Sequence, residues 1–208
     1  YILLSIMMAS LQDKTGFMWS GTQYGLYRSD GYSHMAFAAD SRVGNQPGGV
    51  FVHAVRDDTS GRLWISTDQG LDIFDPRTGQ FSRVAYATTP QVAVIQSFYQ
   101  DRFGVMWLST TAGLYGVDAN GATVAHFHAD PDKPDSLSSD DLKFTTEDRS
   151  GTLWVASSLG LDAIDRTDGR VLRRVPLREP REIGFVEDRS GVFWIHHAGG
   201  SGLSSFDP

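Results

Sequence analysis

Six histidines and twenty-five carboxylates are the residues of this 208-residue chain best suited to chemistry, and their spacing assembles no reactive set. His196 and His197 are adjacent. Neighbours on a strand point to opposite faces, so this pair does not share one metal, and a site there needs a third ligand from elsewhere. His126 and His128 are two apart, which puts both on one face of a strand with the spacing of a chelating pair. Their place in an outer strand gives the plainer reading of a solvated edge. Asp68 and Asp141 could act as the two carboxylates a glycosidase sets around its cleft, but nothing in the sequence pairs them. No Gly-x-Ser-x-Gly elbow, P-loop or dinucleotide fingerprint is present, and the run Gly199-Gly200-Ser201-Gly202 lacks a following helix. The absence of cysteine excludes thiol nucleophiles, disulfides and thiolate metal sites. The expectation is a non-enzymatic chain with no catalytic residues, no metal and no cofactor.

The elements that carry these residues follow from a repeat. All five tryptophans, Trp19, Trp64, Trp107, Trp154 and Trp194, occupy one slot of the unit Asp-x-x-Gly-x-x-Trp, which runs on to a Gly-Leu and then an Asp. The copies are Asp13-Gly16-Trp19-Gly25-Leu26-Asp30, Asp58-Gly61-Trp64-Gly70-Leu71-Asp75, Asp101-Gly104-Trp107-Gly113-Leu114-Asp118, Asp148-Gly151-Trp154-Gly160-Leu161-Asp165 and Asp188-Gly191-Trp194-Gly202-Leu203-Asp207. A period in the forties marks an array of one supersecondary unit. In the second copy, Val50 to Asp57, Arg62 to Thr67, Leu71 to Asp75 and Gln80 to Tyr86 read as short strands. The turns between them carry Asp, Gly and Pro. Four short strands in about 43 residues make one propeller blade. The fold class is therefore all-β, a β-propeller of four-stranded blades with little or no helix.

About five blades are expected in a single domain over 1–208: blade one at about 2–40, two at 50–87, three at 92–128, four at 141–177, and five at 181–208 without its outer strand. Recurrence at one slot assigns the five Trp side chains to packing between blades rather than to a sugar platform. The Asp-x-x-Gly segments read as tight turns, since a calcium loop needs more oxygen ligands than they supply. A net charge of -7 disfavours a nucleic-acid or anionic-membrane surface. The apolar start, Tyr1 to Ala9, is too short to span a bilayer and lacks the basic region of a signal peptide.

The unit as it stands in Glu147 to Asp165 (EDRSGTLWVASSLGLDAID) resembles the two-component regulator propeller repeat. Gln12 to Tyr32 is similar to the opening blade of such regions, and Pro131 to Asp141 to a common segment between blades. The chain departs from the W-x-G-T pattern, keeping only Gly21, with Ser66, Ser109, Ala156 and His196 in later copies. The resemblance implies a periplasmic sensor region ahead of a histidine kinase or diguanylate cyclase. It also implies more blades than five, so the chain reads as an N-terminal fragment of a larger propeller, with no membrane segment in this piece.

In a propeller, the loop from second to third strand and the loop between blades share one face. That face collects Gln23, Tyr24, Asn45, Asp68, Gln69, Asp141, Lys143, His196 and His197. Of these, Tyr24, Gln69, Asp141, Lys143, His196 and His197 are the candidate ligand-binding residues, suited to a small polar ligand such as an oligosaccharide. Two functions follow. One is a ligand sensor that signals to an output domain. The other is a protein-interaction or dimerisation scaffold with no small ligand, self-associating through open blade faces or as a sensor dimer.

Overall fold

A computed structural model describes residues 7–37, 46–86, 93–176, 183–197 and 202–206. Every regular element among the described residues is a strand. The first sheet holds β1 (Met7–Gln12), β2 (Met18–Thr22), β3 (Gly25–Ser29) and β4 (His34–Phe37) in sequential order. The second holds β5 (Val52–Asp57), β6 (Leu63–Thr67), β7 (Gly70–Asp75) and β8 (Gln80–Val84). The third holds β9 (Ile95–Gln100), β10 (Met106–Thr110), β11 (Gly113–Val117) and β12 (Thr123–Phe127). The fourth holds β13 (Leu142–Glu147), β14 (Leu153–Ser157), β15 (Gly160–Ile164) and β16 (Val171–Pro176). The last has three described strands, β17 (Ile183–Glu187), β18 (Phe193–His197) and β19 (Gly202–Phe206).

Two compact units emerge. Tyr1–Ile95 with Asn120–Ala122 forms one, and Gln96–Ala119 with Thr123–Pro208 the other. The first unit contains the first two sheets, and the second unit is built on the remaining three.

The turns explain why each copy folds alike. The Gly16 amide donates to the Asp13 carbonyl at 3.0 Å, and Gly61, Gly104, Gly151 and Gly191 do the same with Asp58, Asp101, Asp148 and Asp188. These glycines sit at positive φ, as Gly151 does at 92°, where a Cβ is strained. At the next turn a hydroxyl three residues beyond Trp bridges the hairpin. Thr22, Thr67 and Thr110 donate to the carbonyls of Gly25, Gly70 and Gly113 at 3.0, 3.2 and 2.7 Å. Gly160 there cannot be larger, because a Cβ would stand 2.3 Å from the Val175 carbonyl oxygen.

In the second, third and fourth sheets the second and third strands form the core, and the second strand carries the tryptophan. Its residues alternate faces, so Trp points one way and its two flanking residues the other. Within the first unit, Trp19 packs with Val52, Leu63, Ile65 and Phe74 of the second sheet. Within the second unit, Trp107 packs with Leu142, Leu153, Val155 and Ile164 of the fourth sheet. Trp154 packs with Phe193 and Ile195 of the last sheet. Each of these tryptophans thus covers the flanking pair of the next copy. Trp19, Trp64, Trp107 and Trp154 are 0–2% exposed, whereas Trp194 is 38% exposed.

Candidate functional site

The repeat Asp does more than turn the chain. Its carboxylate accepts the indole N–H six residues later in all five copies: Asp13–Trp19 at 2.7 Å, Asp58–Trp64 at 3.2 Å, Asp101–Trp107 at 2.9 Å, Asp148–Trp154 at 2.8 Å and Asp188–Trp194 at 2.8 Å. The other carboxylate oxygen takes turn amides, as Asp58 Oδ1 does from Ser60 and Arg62 at 2.9 and 3.0 Å. A buried indole N–H thereby gains an acceptor that cannot be lost without cost. Sequence reasoning saw the turn but missed this bond, whose signal was the fixed six-residue spacing.

These hydrogen bonds act on proton affinity. Burial pushes the Asp58 carboxyl up, but donors from Ser60, Trp64 and Arg62 outweigh it and hold the pKa below the ordinary 3.8. Asp13 and Asp148 are lowered by the same balance, with Thr15 and Trp19, or Ser150 and Trp154, as the principal donors. A depressed folded pKa contributes stability that is complete above the unfolded pKa and lost as pH falls through the folded one. The urea midpoint is therefore expected to fall as pH drops below about 4. Asp58→Asn, which removes one such carboxyl, should flatten that fall; an unchanged profile would refute the assignment.

A second device anchors the segments between sheets. Buried Asp72 pairs with Arg83 of the adjacent strand at 2.7 Å and accepts the Gly48 amide at 2.8 Å. Buried Asp162 pairs with Arg174 at 2.9 Å and accepts the Ser138 amide and hydroxyl at 2.7 and 2.8 Å. Arg174 also donates to the Ser136 carbonyl at 2.5 Å. In the third sheet the same cross-strand position holds Tyr115 opposite His126, and the two rings stack with centroids 3.9 Å apart and planes at 11°.

The candidate ligand residues fall in both units. Tyr24 is exposed in the first unit beside the Thr22 turn, its amide donating to the Thr22 hydroxyl at 3.0 Å. Gln69 donates to Asp68 at 3.1 Å, and Asp68 accepts the Phe51 amide at 3.0 Å, joining that turn to the segment before β5. In the second unit, Lys143 Nζ lies 2.9 Å from an Asp141 carboxylate oxygen, so these two are brought together as an ion pair. The turn between β10 and β11 also meets the segment before β13, since the Gly113 amide donates to the Asp140 carbonyl at 2.9 Å. His196 and His197 end β18, opposite Gly184 and Ile183, and their side chains lie outside the described residues. Asn45 lies outside them altogether.

A cleft that the sequence did not reveal opens at the outer edge of the second unit. It measures about 330 Å³ and runs between the end of β12, the segment 129–141 and the turn before β16. His126, His128, Asp130, Asp135, Asp168 and Arg170 are among its lining residues. The segment is pinned along its length. Ala129 N donates to Asp140 at 2.6 Å, Asp130 N to Ser136 Oγ at 2.9 Å, and Val171 N to the Asp135 carbonyl at 2.7 Å. Leu137 anchors it in the core.

Sequential four-stranded sheets in tandem, each burying its tryptophan under the next copy in every pair seen within a unit, decide the architecture. The sheets are propeller blades. Solved structures share the arrangement. The extracellular domain of BT3049, assigned as a hybrid two-component system of B. thetaiotaomicron, matches at a TM-score of 0.77 and 22% identity over 96% of this chain and 28% of that one. The corresponding domain of BT4673 matches at 0.70 and 18% identity, over 98% and 31%. Virginiamycin B lyase from Staphylococcus aureus, bound to quinupristin, matches at 0.71 and 10% identity, over 98% and 70%. The chain thus spans under a third of either sensor domain. No family profile matches the chain, and no curated protein does.

Proposed function

We propose that this chain is part of the extracytoplasmic sensing region of a bacterial two-component regulator propeller protein. The observation that carries this reading is the match of nearly the whole chain to the extracellular domains of two hybrid two-component systems. The blades are part of a larger propeller in the periplasm, joined to a histidine kinase or diguanylate cyclase output. The ligand is a small polar molecule, with oligosaccharides the first class to test. It sits on the loop face of one unit, at Tyr24 and Gln69 of the first or at Asp141, Lys143, His196 and His197 of the second. The role is non-catalytic: the lyase likeness, at 10% identity, is one of fold alone.

The test is a thermal-shift screen with mono- and oligosaccharides on the longest folded form of the chain. One compound class should raise the melting temperature, and Tyr24→Ala or Lys143→Ala should abolish the rise without lowering the ligand-free value. A shift that survives both substitutions would remove the assigned face, and no shift with any compound would remove the reading.

The alternative, a scaffold that self-associates through an open blade face, draws support from Trp194. Four equivalents of this side chain are covered, and it is not. A cation rung points the same way. Lys14 donates to the Thr59 carbonyl at 3.0 Å, Arg102 to that of Asp148 at 3.1 Å and Arg149 to that of Asp188 at 3.0 Å, each reaching the next copy's turn. Arg189 holds the same place in the last copy and is exposed. An apolar face with a guanidinium that has no partner among the described residues fits the turn side of another such blade. Sedimentation at rising concentration should show association that Trp194→Ser weakens; a monomer at all concentrations would exclude this route.

A further inference from the structure

The two imidazoles of the outer cleft are exposed, yet each is hydrogen-bonded through one ring nitrogen. His126 Nε2 stands 3.0 Å from the Ala112 carbonyl oxygen, and His128 Nδ1 stands 3.0 Å from that of Ala129. A carbonyl oxygen only accepts, so each of these nitrogens carries a proton. In the neutral ring the lone pair is then on the other nitrogen, Nδ1 of His126 and Nε2 of His128. Fixing one ring N–H on a carbonyl is how proteins orient an imidazole that binds metal through its second nitrogen. The His126 ring is held further by its stack on Tyr115.

The spacing suits one ion. The two ring centroids are 5.8 Å apart with planes at 44°. A metal about 2.0–2.1 Å from an imidazole nitrogen lies about 3.2 Å from the ring centre. Two imidazoles on one ion therefore have centres about 5 Å apart at the tetrahedral angle, and about 6 Å apart at wider ones. The cleft also carries the carboxylates of Asp130, Asp135 and Asp168 against the cations Lys133 and Arg170, with Lys133 paired to Asp130 at 3.1 Å. No three His, Asp or Glu side chains among the described residues already stand at a shared coordinating distance. A chelate here would take its protein ligands from the two imidazoles and leave the remaining positions to water.

We propose that His126 and His128 form a two-imidazole chelate for a divalent transition ion of the zinc, nickel and copper class, at the outer edge of the third blade. Imidazole donors select these ions over magnesium and calcium. The inference stands on the ring geometry alone and does not depend on the sensor reading.

The experiment is calorimetric titration of the untagged chain with Zn²⁺, and with Ca²⁺ in parallel, in a buffer that does not bind metal. One Zn²⁺ per chain should bind, and Ca²⁺ should not. His126→Gln and His128→Gln should each weaken zinc binding at least about tenfold, while His34→Gln, at an exposed histidine of β4, should leave it unchanged. Zinc should also raise the melting temperature of the parent chain but not of the double variant, whose own melt reports that it is folded. Zinc binding that persists in the folded double variant, or a folded parent chain that takes up no zinc, would overturn the proposal.

Discussion

Trp154→Ala is expected to destabilise the chain by about 3–5 kcal/mol, the loss that follows when a large buried aromatic becomes alanine. The indole is 2% exposed and meets Phe193 and Phe206 at centroid distances of 5.5 and 5.6 Å, both near edge-on. Removing it opens a void between the fourth and last sheets and leaves Asp148 without its indole donor at 2.8 Å. The matching change at Trp194 should cost far less, because that ring is partly in water already and gives up less area on truncation. Urea unfolding of the two variants side by side measures the difference. Equal losses would mean that burial under the next blade does not set what the tryptophan contributes. A small loss at Trp154 would mean that the neighbouring rings collapse into the void.

The repeat made the strands readable because everything that sets them is local. A turn Asp, a glycine at positive φ and an alternating run around Trp lie within a dozen residues of one another. The second sheet shows how closely this worked: its expected strands at 50–57, 62–67, 71–75 and 80–86 are found at Val52–Asp57, Leu63–Thr67, Gly70–Asp75 and Gln80–Val84. Cross-strand chemistry was harder to see. That Asp72 faces Arg83, or Tyr115 faces His126, depends on the register of the third and fourth strands, which the intervening turn sets. The chelating spacing of His126 and His128 was legible, but what holds the first ring was not. It is a carbonyl fourteen residues away, brought near only when β12 pairs with β11. The loop face is legible only as a set of residue types, because its members come from turns far apart in sequence.

The second large effect concerns charge buried within the second unit. Arg166 follows the last Asp of the fourth copy and reaches back to the third, where Nη1 lies 2.9 Å from Asp101. Nη2 lies 2.7 Å from Glu147 and also donates to the Gly151 carbonyl. The guanidinium sits over the Phe103 ring at 4.7 Å. Both carboxylate side chains are nearly inaccessible, at 1% and 3% exposure. Arg166→Ala is expected to cost about 3 kcal/mol or more, since it strips a partner from two buried carboxylates and an aromatic face together. The two acids differ in what remains. Glu147 keeps Arg102 at 2.7 Å, whereas Asp101 keeps, among the described residues, the Trp107 indole and the turn amides of Phe103 and Val105. Asp101→Asn on top of Arg166→Ala should therefore recover part of the loss, because it removes the charge left without a counter-ion. Urea midpoints of the two single variants and the double variant close that cycle. Strict additivity would show that the Arg166–Asp101 pair is not coupled and that the arginine acts through Glu147, the Gly151 carbonyl and Phe103 instead.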